Sequence, residues 1–219
     1  MSHISFSALR NWKKCPFYHK LTYIDKIKAF EGNEFTAFGT AVHAACEKLL
    51  EEKSVNSVLV FKEAFVEELK KLPSDADKRT NLIEQMYNQG PKMVVELLPA
   101  VVEYFGENFE VFSVEEQLFE PIKIFPNEEI NFKGYIDAVI KTNDGKYHII
   151  DWKTCSWGWD RRKRSDPMIT YQLTFYKHYF ATKHNIDPEK IETHFGLLKR
   201  TAKSNHVEIF RVTSGNKKT

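Results

Sequence analysis

The chain has no apolar run near the roughly 20 residues a membrane-spanning helix needs. Its first stretch, MSHISFSALRNWKK, holds no unbroken apolar core of the signal-peptide kind. A cytoplasmic location without a membrane partner is the expectation. Cysteine is scarce: Cys15, Cys46 and Cys155 are odd in number and far apart. That spacing fits neither a disulfide framework nor a pair of CxxC motifs, so reduced thiols are expected. Net charge is only +2, so no global cationic field announces nucleic acid. Internal repeats and low-complexity segments are also lacking.

What is present is an ordinary globular composition, 42% apolar over 219 residues, enough to bury a core in one domain. Charge is segregated along the chain. Arg10, Lys13, Lys14, Lys20, Lys26 and Lys28 stand against Asp25 alone, and Arg161, Arg162, Lys163 and Arg164 form a second basic run. Acid collects between them, from Glu47 to Asp77, a pattern that suits an anionic ligand on one side or a solvated face. Helical spacing marks a short helix before Pro16, a helix through Val42, Ala45, Cys46, Leu49 and Leu50 with Thr40 as cap, and two more in SVLVFKEAFVEELKKL and PKMVVELLPAVVEYFGENF. From Glu110 the period changes to strands, with turns at Pro126-Asn127 and Asn143-Asp144-Gly145. DPMITYQLTFYKHYFATKH returns to a helix, and two closing strands follow. The expected architecture is α+β over residues 1–219: a helical part to about 109, then a mostly antiparallel, mixed sheet flanked by helices to about 212.

The chemistry gathers in GYIDAVIKTNDGKYHIIDWKT. A three-residue turn at Asn143-Asp144-Gly145 sets Ile140 beside His148 and Asp137 beside Asp151. Alternation puts Lys153 on the Asp151 face. Facing carboxylates destabilise a sheet unless something compensates, and a divalent cation is the economical compensation. Such cations take carboxylate oxygens and share their shell with phosphate, while a lysine beside them can orient a water. Phosphodiester hydrolysis is the chemistry indicated; a buried Asp–Lys ion pair is the bland alternative.

These residues resemble the PD-(D/E)XK nuclease core, a restriction-endonuclease-like fold, with Asp137 and, fourteen positions later, Asp151 as the acids and Lys153 as the lysine. The order of motifs is similar to the RecB-type and phage exonuclease branch: Cys15-Pro16 after an N-terminal amphipathic segment, a GxxxH helix at Gly39 to His43, and a QxxxY helix at Gln172 and Tyr176. The resemblance implies a Mg2+- or Mn2+-dependent deoxyribonuclease, an exonuclease on single strands or duplex ends. It implies work in DNA replication, recombination or degradation in a bacterial or phage-infected cell, with replication or recombination proteins as partners. The alternative is a non-catalytic DNA-binding or scaffold member that keeps the fold.

By the same resemblance His43, Asp137, Asp151 and the Trp152 carbonyl would hold the metal. Glu116 is preferred over Glu115 for a further acid, since adjacent strand residues face opposite ways. Gln172 and Tyr176, one helical turn apart, would touch the DNA backbone or hold the catalytic strand, with ordinary helix packing as the alternative. Trp157, Arg161 and Arg162, an aromatic beside a basic run, would meet DNA by stacking and phosphate contact. Without the resemblance, His43 reads as the i,i+4 partner of Glu47. Trp152 reads as core, and Trp157 and Trp159 as exposed aromatics flanking Gly158, able to stack on bases. An iron–sulfur cluster of the kind some relatives carry is not expected, because no cysteine follows Cys155.

Overall fold

A computed structural model describes residues 2–27, 30–73, 79–123 and 129–213. Lys28, Asp75, Asp77, the expected turn at Pro126-Asn127 and the charged tail lie outside them. The chain opens with strand β1 (Ser2–Ser5), α1 (Phe6–Lys14) and α2 (Pro16–His19). Three long helices follow: α3 (Glu34–Glu51), α4 (Ser57–Lys70) and α5 (Thr80–Phe105). Then come β2 (Phe109–Pro121), β3 (Ile130–Thr142), β4 (Tyr147–Cys155), α6 (Arg161–Arg164), α7 (Pro167–His184), β5 (Ile191–Lys199) and β6 (Val207–Val212). The fold is α+β, as the change of period at Glu110 indicates.

Local chemistry sets several boundaries. Asn33 caps α3 through the N–H groups of Phe35 and Thr36 while Thr36 Oγ1 accepts the Asn33 N–H, a capping box. Thr40, the cap expected from sequence, therefore lies inside the helix. Cys15 Sγ caps α2 by accepting the Tyr18 N–H, with Pro16 at the first helical position, where its missing donor costs nothing. Helix α5 does not begin at Pro91 but at Thr80, and carries Pro91 and Pro99 within it. Packing overrides propensity there. A Cβ on Gly90 would lie 2.1 Å from the buried Phe61 ring, so α5 and α4 meet at a contact only glycine permits.

The sheet is mixed. β2 pairs antiparallel with β3, β3 with β4 and β5 with β6, whereas β1–β3 and β4–β5 are parallel. One apolar cluster lies between the sheet and α3, α4 and α5, built on Ala138, Ile140, Ile150 and Trp152. The other lies between the sheet and α7, built on Ile136, Val139, Ile149, Phe180 and Phe195. The result is three layers.

One edge of β3 is shared by two strands. β2 runs along β3 from Asn131 to Thr142, so β1 and β4 must share the opposite edge. β4 takes residues 138–141 and β1 takes 130–133. Between them the sheet splits beside residues 134–137, with Asp137 at the point where β3 and β4 part.

Candidate active site

The hairpin has the expected register. Ala138 pairs with Ile150, Val139 with Ile149, Ile140 with His148 and Lys141 with Tyr147. Gly145, at φ +79°, turns the chain back. One step further Asp137 stands opposite Asp151, but the backbones have separated. The Trp152 N–H, which a continuing β3 would bond, donates instead to Asp137 Oδ2 at 2.6 Å. On the other side of β3, the pairs Val114–Ala138 and Glu116–Ile136 bracket Glu115 and Asp137. Three acids, Glu115, Asp137 and Asp151, thus occupy one rank across β2, β3 and β4.

The strands are kinked at this rank. Ile136 packs into the α7-side cluster and Ala138, two residues on, into the opposite one, so alternation breaks at Asp137. Glu115 has φ +45°, left-handed for a non-glycine residue, and sits at the same rank. Strain at a rank of acids marks a site that folding stability alone would not select.

Asp151 is 2% exposed. Burial pushes its carboxyl up to about 6, with Lys153 opposing and Asp137 adding to the shift. Lys153 Nζ lies 2.5 Å from Asp151 Oδ2, yet that oxygen makes no aligned hydrogen bond. From α3, His43 reaches Asp137, with Nδ1 3.6 Å from Oδ1. Burial would lower the His43 imidazole, but the Asp137 contact and the charges of Asp137 and Asp151 outweigh it and raise the group. Glu115 is exposed, and partial desolvation together with the charges of Asp137 and Glu47 raises its carboxyl.

This donor set fits a hard divalent cation. It offers carboxylate oxygens, one of them buried without an aligned partner, plus one imidazole. The set is gathered but not closed, since its ligand atoms do not all lie within 4.8 Å of one another.

A family model of the PD-(D/E)XK nuclease superfamily matches residues 3–214. The chain belongs to that superfamily. Among fifteen solved chains that also match, one described as "Crystal structure of SSO0001" is 16% identical, covers 80% of this chain and 77% of its own, and superposes with a TM-score of 0.34. No curated protein is significantly similar. The PD-(D/E)XK nucleases use divalent metals, which agrees with the chemistry of the donor set.

The surroundings of the superfamily motif divide into support and surface. Trp152 is 1% exposed and faces the α3 side, and a Cβ on Gly196 would fall 2.0 Å from its ring. The indole is thus wedged on β5, which holds the backbone between Asp151 and Lys153. On the other face Gln172 Nε2 donates to the Tyr176 hydroxyl at 2.9 Å, and Gly134 leaves room for the Tyr176 ring. Burial, with the Asp151 charge adding, drives the Tyr176 phenol far up, so it stays neutral.

Two sequence expectations need correction. Glu116 does not face the acids: the kink at Glu115 turns it to the α7 side. There it accepts from Lys183 at 2.9 Å and contacts Ser113 and His184, which together hold its carboxyl down despite burial. Glu115, not Glu116, shares the rank of Asp137 and Asp151. Trp159 is not an exposed stacking platform either: it is 8% exposed and packs on Phe195 and Phe210, because Gly158 at φ +122° turns it inward. Trp157 is 79% exposed. Of the basic run, Arg161 and Arg162 are exposed, whereas Arg164 binds Glu208 at 2.6 Å and the Trp159 carbonyl at 2.8 Å. The cysteines are scattered, Cys15 exposed, Cys46 buried and Cys155 between.

Proposed function

We propose that the protein is a metal-dependent deoxyribonuclease, an exonuclease in its natural role, with Mg2+ or Mn2+ as cofactor. The observation that carries this reading is the rank of Glu115, Asp137 and Asp151 at the split of the sheet, with Lys153 Nζ 2.5 Å from Asp151. Asp137, Asp151, the Trp152 carbonyl and His43 would hold the cation, with Glu115 as a further acid. The bound ion would supply positive charge for the scissile phosphate and a more acidic water.

The chain's own residues do the rest. Lys153 brings a second positive charge to the phosphate and orients the attacking water. Tyr176 and Gln172 form the α7 wall of a cleft of about 340 Å³, which His3, Lys133 and Tyr135 also line, at the unpaired stretch of β3. Its lining offers aromatic faces and a cation to one nucleic-acid strand. Arg161 and Arg162, with the exposed Trp157, extend a basic, aromatic surface beyond the end of β4. The exonuclease assignment, and a place in phage or bacterial replication, recombination or degradation, rest on the order of the Cys-Pro, GxxxH, Asp, Asp-Trp-Lys and QxxxY motifs.

Digestion of DNA labelled at either end, single- and double-stranded, with Mg2+, Mn2+ or chelator is the test. Metal-dependent, end-initiated product ladders that vanish in Asp151→Asn support the proposal. No cleavage of any substrate with either metal refutes it.

A further inference from the structure

A second group of ligands lies on the same strand but belongs to none of this. His148 on β4 faces Glu192 on β5 in the parallel register, and His194 follows Glu192 by two residues on the same face. Ligand atoms of these three residues all lie within 4.8 Å of one another, a grouping that occurs nowhere else among the described residues. His148 Nδ1 stands 3.1 Å from His194 Nε2 and 3.8 Å from Glu192 Oε2. A tetrahedral ion with bonds of about 2.0–2.1 Å sets its ligands roughly 3.3–3.4 Å apart, and these two separations straddle that edge. We propose that His148, His194 and Glu192 form a second metal site, for zinc or a similar late first-row divalent ion, independent of the acids at the sheet split.

The surrounding hydrogen bonds prepare the ligands. The Thr142 hydroxyl donates to Asp144 Oδ1 at 2.5 Å, so Thr142 Oγ1 accepts the proton of His148 Nε2 at 3.0 Å. That relay leaves a lone pair on His148 Nδ1, directed at His194. Outer partners of this kind orient metal-binding imidazoles. Both rings are buried, an environment that favours the neutral, ligating form of imidazole. Glu192 is shared in a useful way. Lys146 and Arg211 occupy Oε1 at 3.1 and 3.3 Å, and Oε2 is the oxygen turned to His148. These cations and Asp144 are the charged groups facing the site, and they offset the carboxylate without reaching the imidazole nitrogens.

The proton between the two rings moves to His194 Nδ1 when Nε2 takes a metal. That atom is buried and makes no hydrogen bond, so the bond to the ion must outweigh one unpaired N–H. The fourth position opens to a cleft of about 490 Å³ lined by Tyr104, Asp144 and Arg211, which leaves it to water. Two imidazoles and one carboxylate suit zinc far better than Mg2+, whose ligands are oxygens. His148 lies about 10 Å along β4 from Asp151, at strand spacing, and on the opposite face. A metal here clips the β3–β4 turn to β5 beneath the end of α5, where the Tyr104 and Phe105 rings meet His194 edge-on.

The test uses the full chain, stripped with chelator and titrated with Co2+ as a spectroscopic stand-in for zinc. One equivalent should give the intense visible bands of a four-coordinate ion, and zinc should bleach them. The bands should persist in Asp151→Asn, which disables the acidic site, and vanish in His148→Gln and His194→Gln. Should either histidine variant fail to fold, Glu192→Gln, of equal size and partly exposed, must weaken Co2+ binding, and Thr142→Val must weaken it about 10- to 100-fold. Absence of the bands in wild type overturns the proposal. So does their retention in the folded histidine or Glu192 variants, or their loss in Asp151→Asn alone. Because no DNA is present, the outcome is independent of nuclease activity.

Discussion

Replacing Asp137 by Asn and by Ala separates its two tasks. Oδ2 accepts the Trp152 N–H at 2.6 Å, and Oδ1 faces His43 Nδ1 at 3.6 Å. An amide can still accept from Trp152, but a neutral hydrogen bond is about 1 kcal/mol weaker than a charge-assisted one. Losing the partly exposed His43 contact costs less than about 1 kcal/mol. Against this, removing one of three neighbouring carboxylates relieves repulsion worth up to about 1 kcal/mol. The terms nearly cancel, so Asp137→Asn should unfold in urea with chelator within about 1 kcal/mol of wild type. Asp137→Ala leaves a buried N–H without an acceptor and should lie roughly 1–3 kcal/mol below the Asn variant. Both should cut turnover on the order of a thousandfold. Both should also lose most of the rise in melting temperature that Mg2+ gives wild type, since a ligand stabilises only the fold that binds it. Equal stability of the Ala and Asn variants in chelator would refute the cap on Trp152. An unchanged Mg2+ response would refute the shared cation.

Lys153→Ala should lower turnover on the order of a thousandfold with its fold intact, checked by end-label digestion alongside circular dichroism. Neutralising Arg161 and Arg162 should flatten the salt dependence of DNA affinity by nearly one unit each, measured by fluorescence anisotropy. Neutralising Arg164 should instead lower the melting temperature, because that guanidinium holds Glu208 and the Trp159 carbonyl. Glu34 is buried and held down to about 2 by the Arg79 side chain and N–H. The depressed value means stabilisation that is full above about pH 5 and lost as pH falls through about 2. Discounted for the solvent around Arg79, it amounts to about 2 kcal/mol, and the urea midpoints of wild type and Glu34→Gln should converge over that range.

How far the sequence alone reaches is set by where backbone geometry stays regular. Asn143-Asp144-Gly145 dictates a tight turn, so the register that sets Asp137 opposite Asp151 could be counted outward from it. The apolar face of α3 and the α7 helix were legible for the same reason, through simple periodicity. Glu115 was not, because choosing between it and Glu116 assumed alternation, and alternation fails at a left-handed residue. Counting from β2 offered no rescue, since a Pro-Asn turn signal at Pro126-Asn127 does not by itself set a loop length, and a one-residue slip reverses the faces. β1 escaped notice because four residues, SHIS, carry no pattern, and their pairing is decided by the edge of β3 that β4 vacates. The cluster of His148, Glu192 and His194 was illegible for a third reason: its members come from strands joined by a long connection through α7, and only the parallel β4–β5 register brings them together. The two cases differ in kind. A hairpin transmits register through a turn that local residues specify, whereas a crossover transmits it through packing of a whole helix. In this protein the acids of β3 and β4 were therefore open to inference from sequence, and the histidines linking β4 to β5 were not.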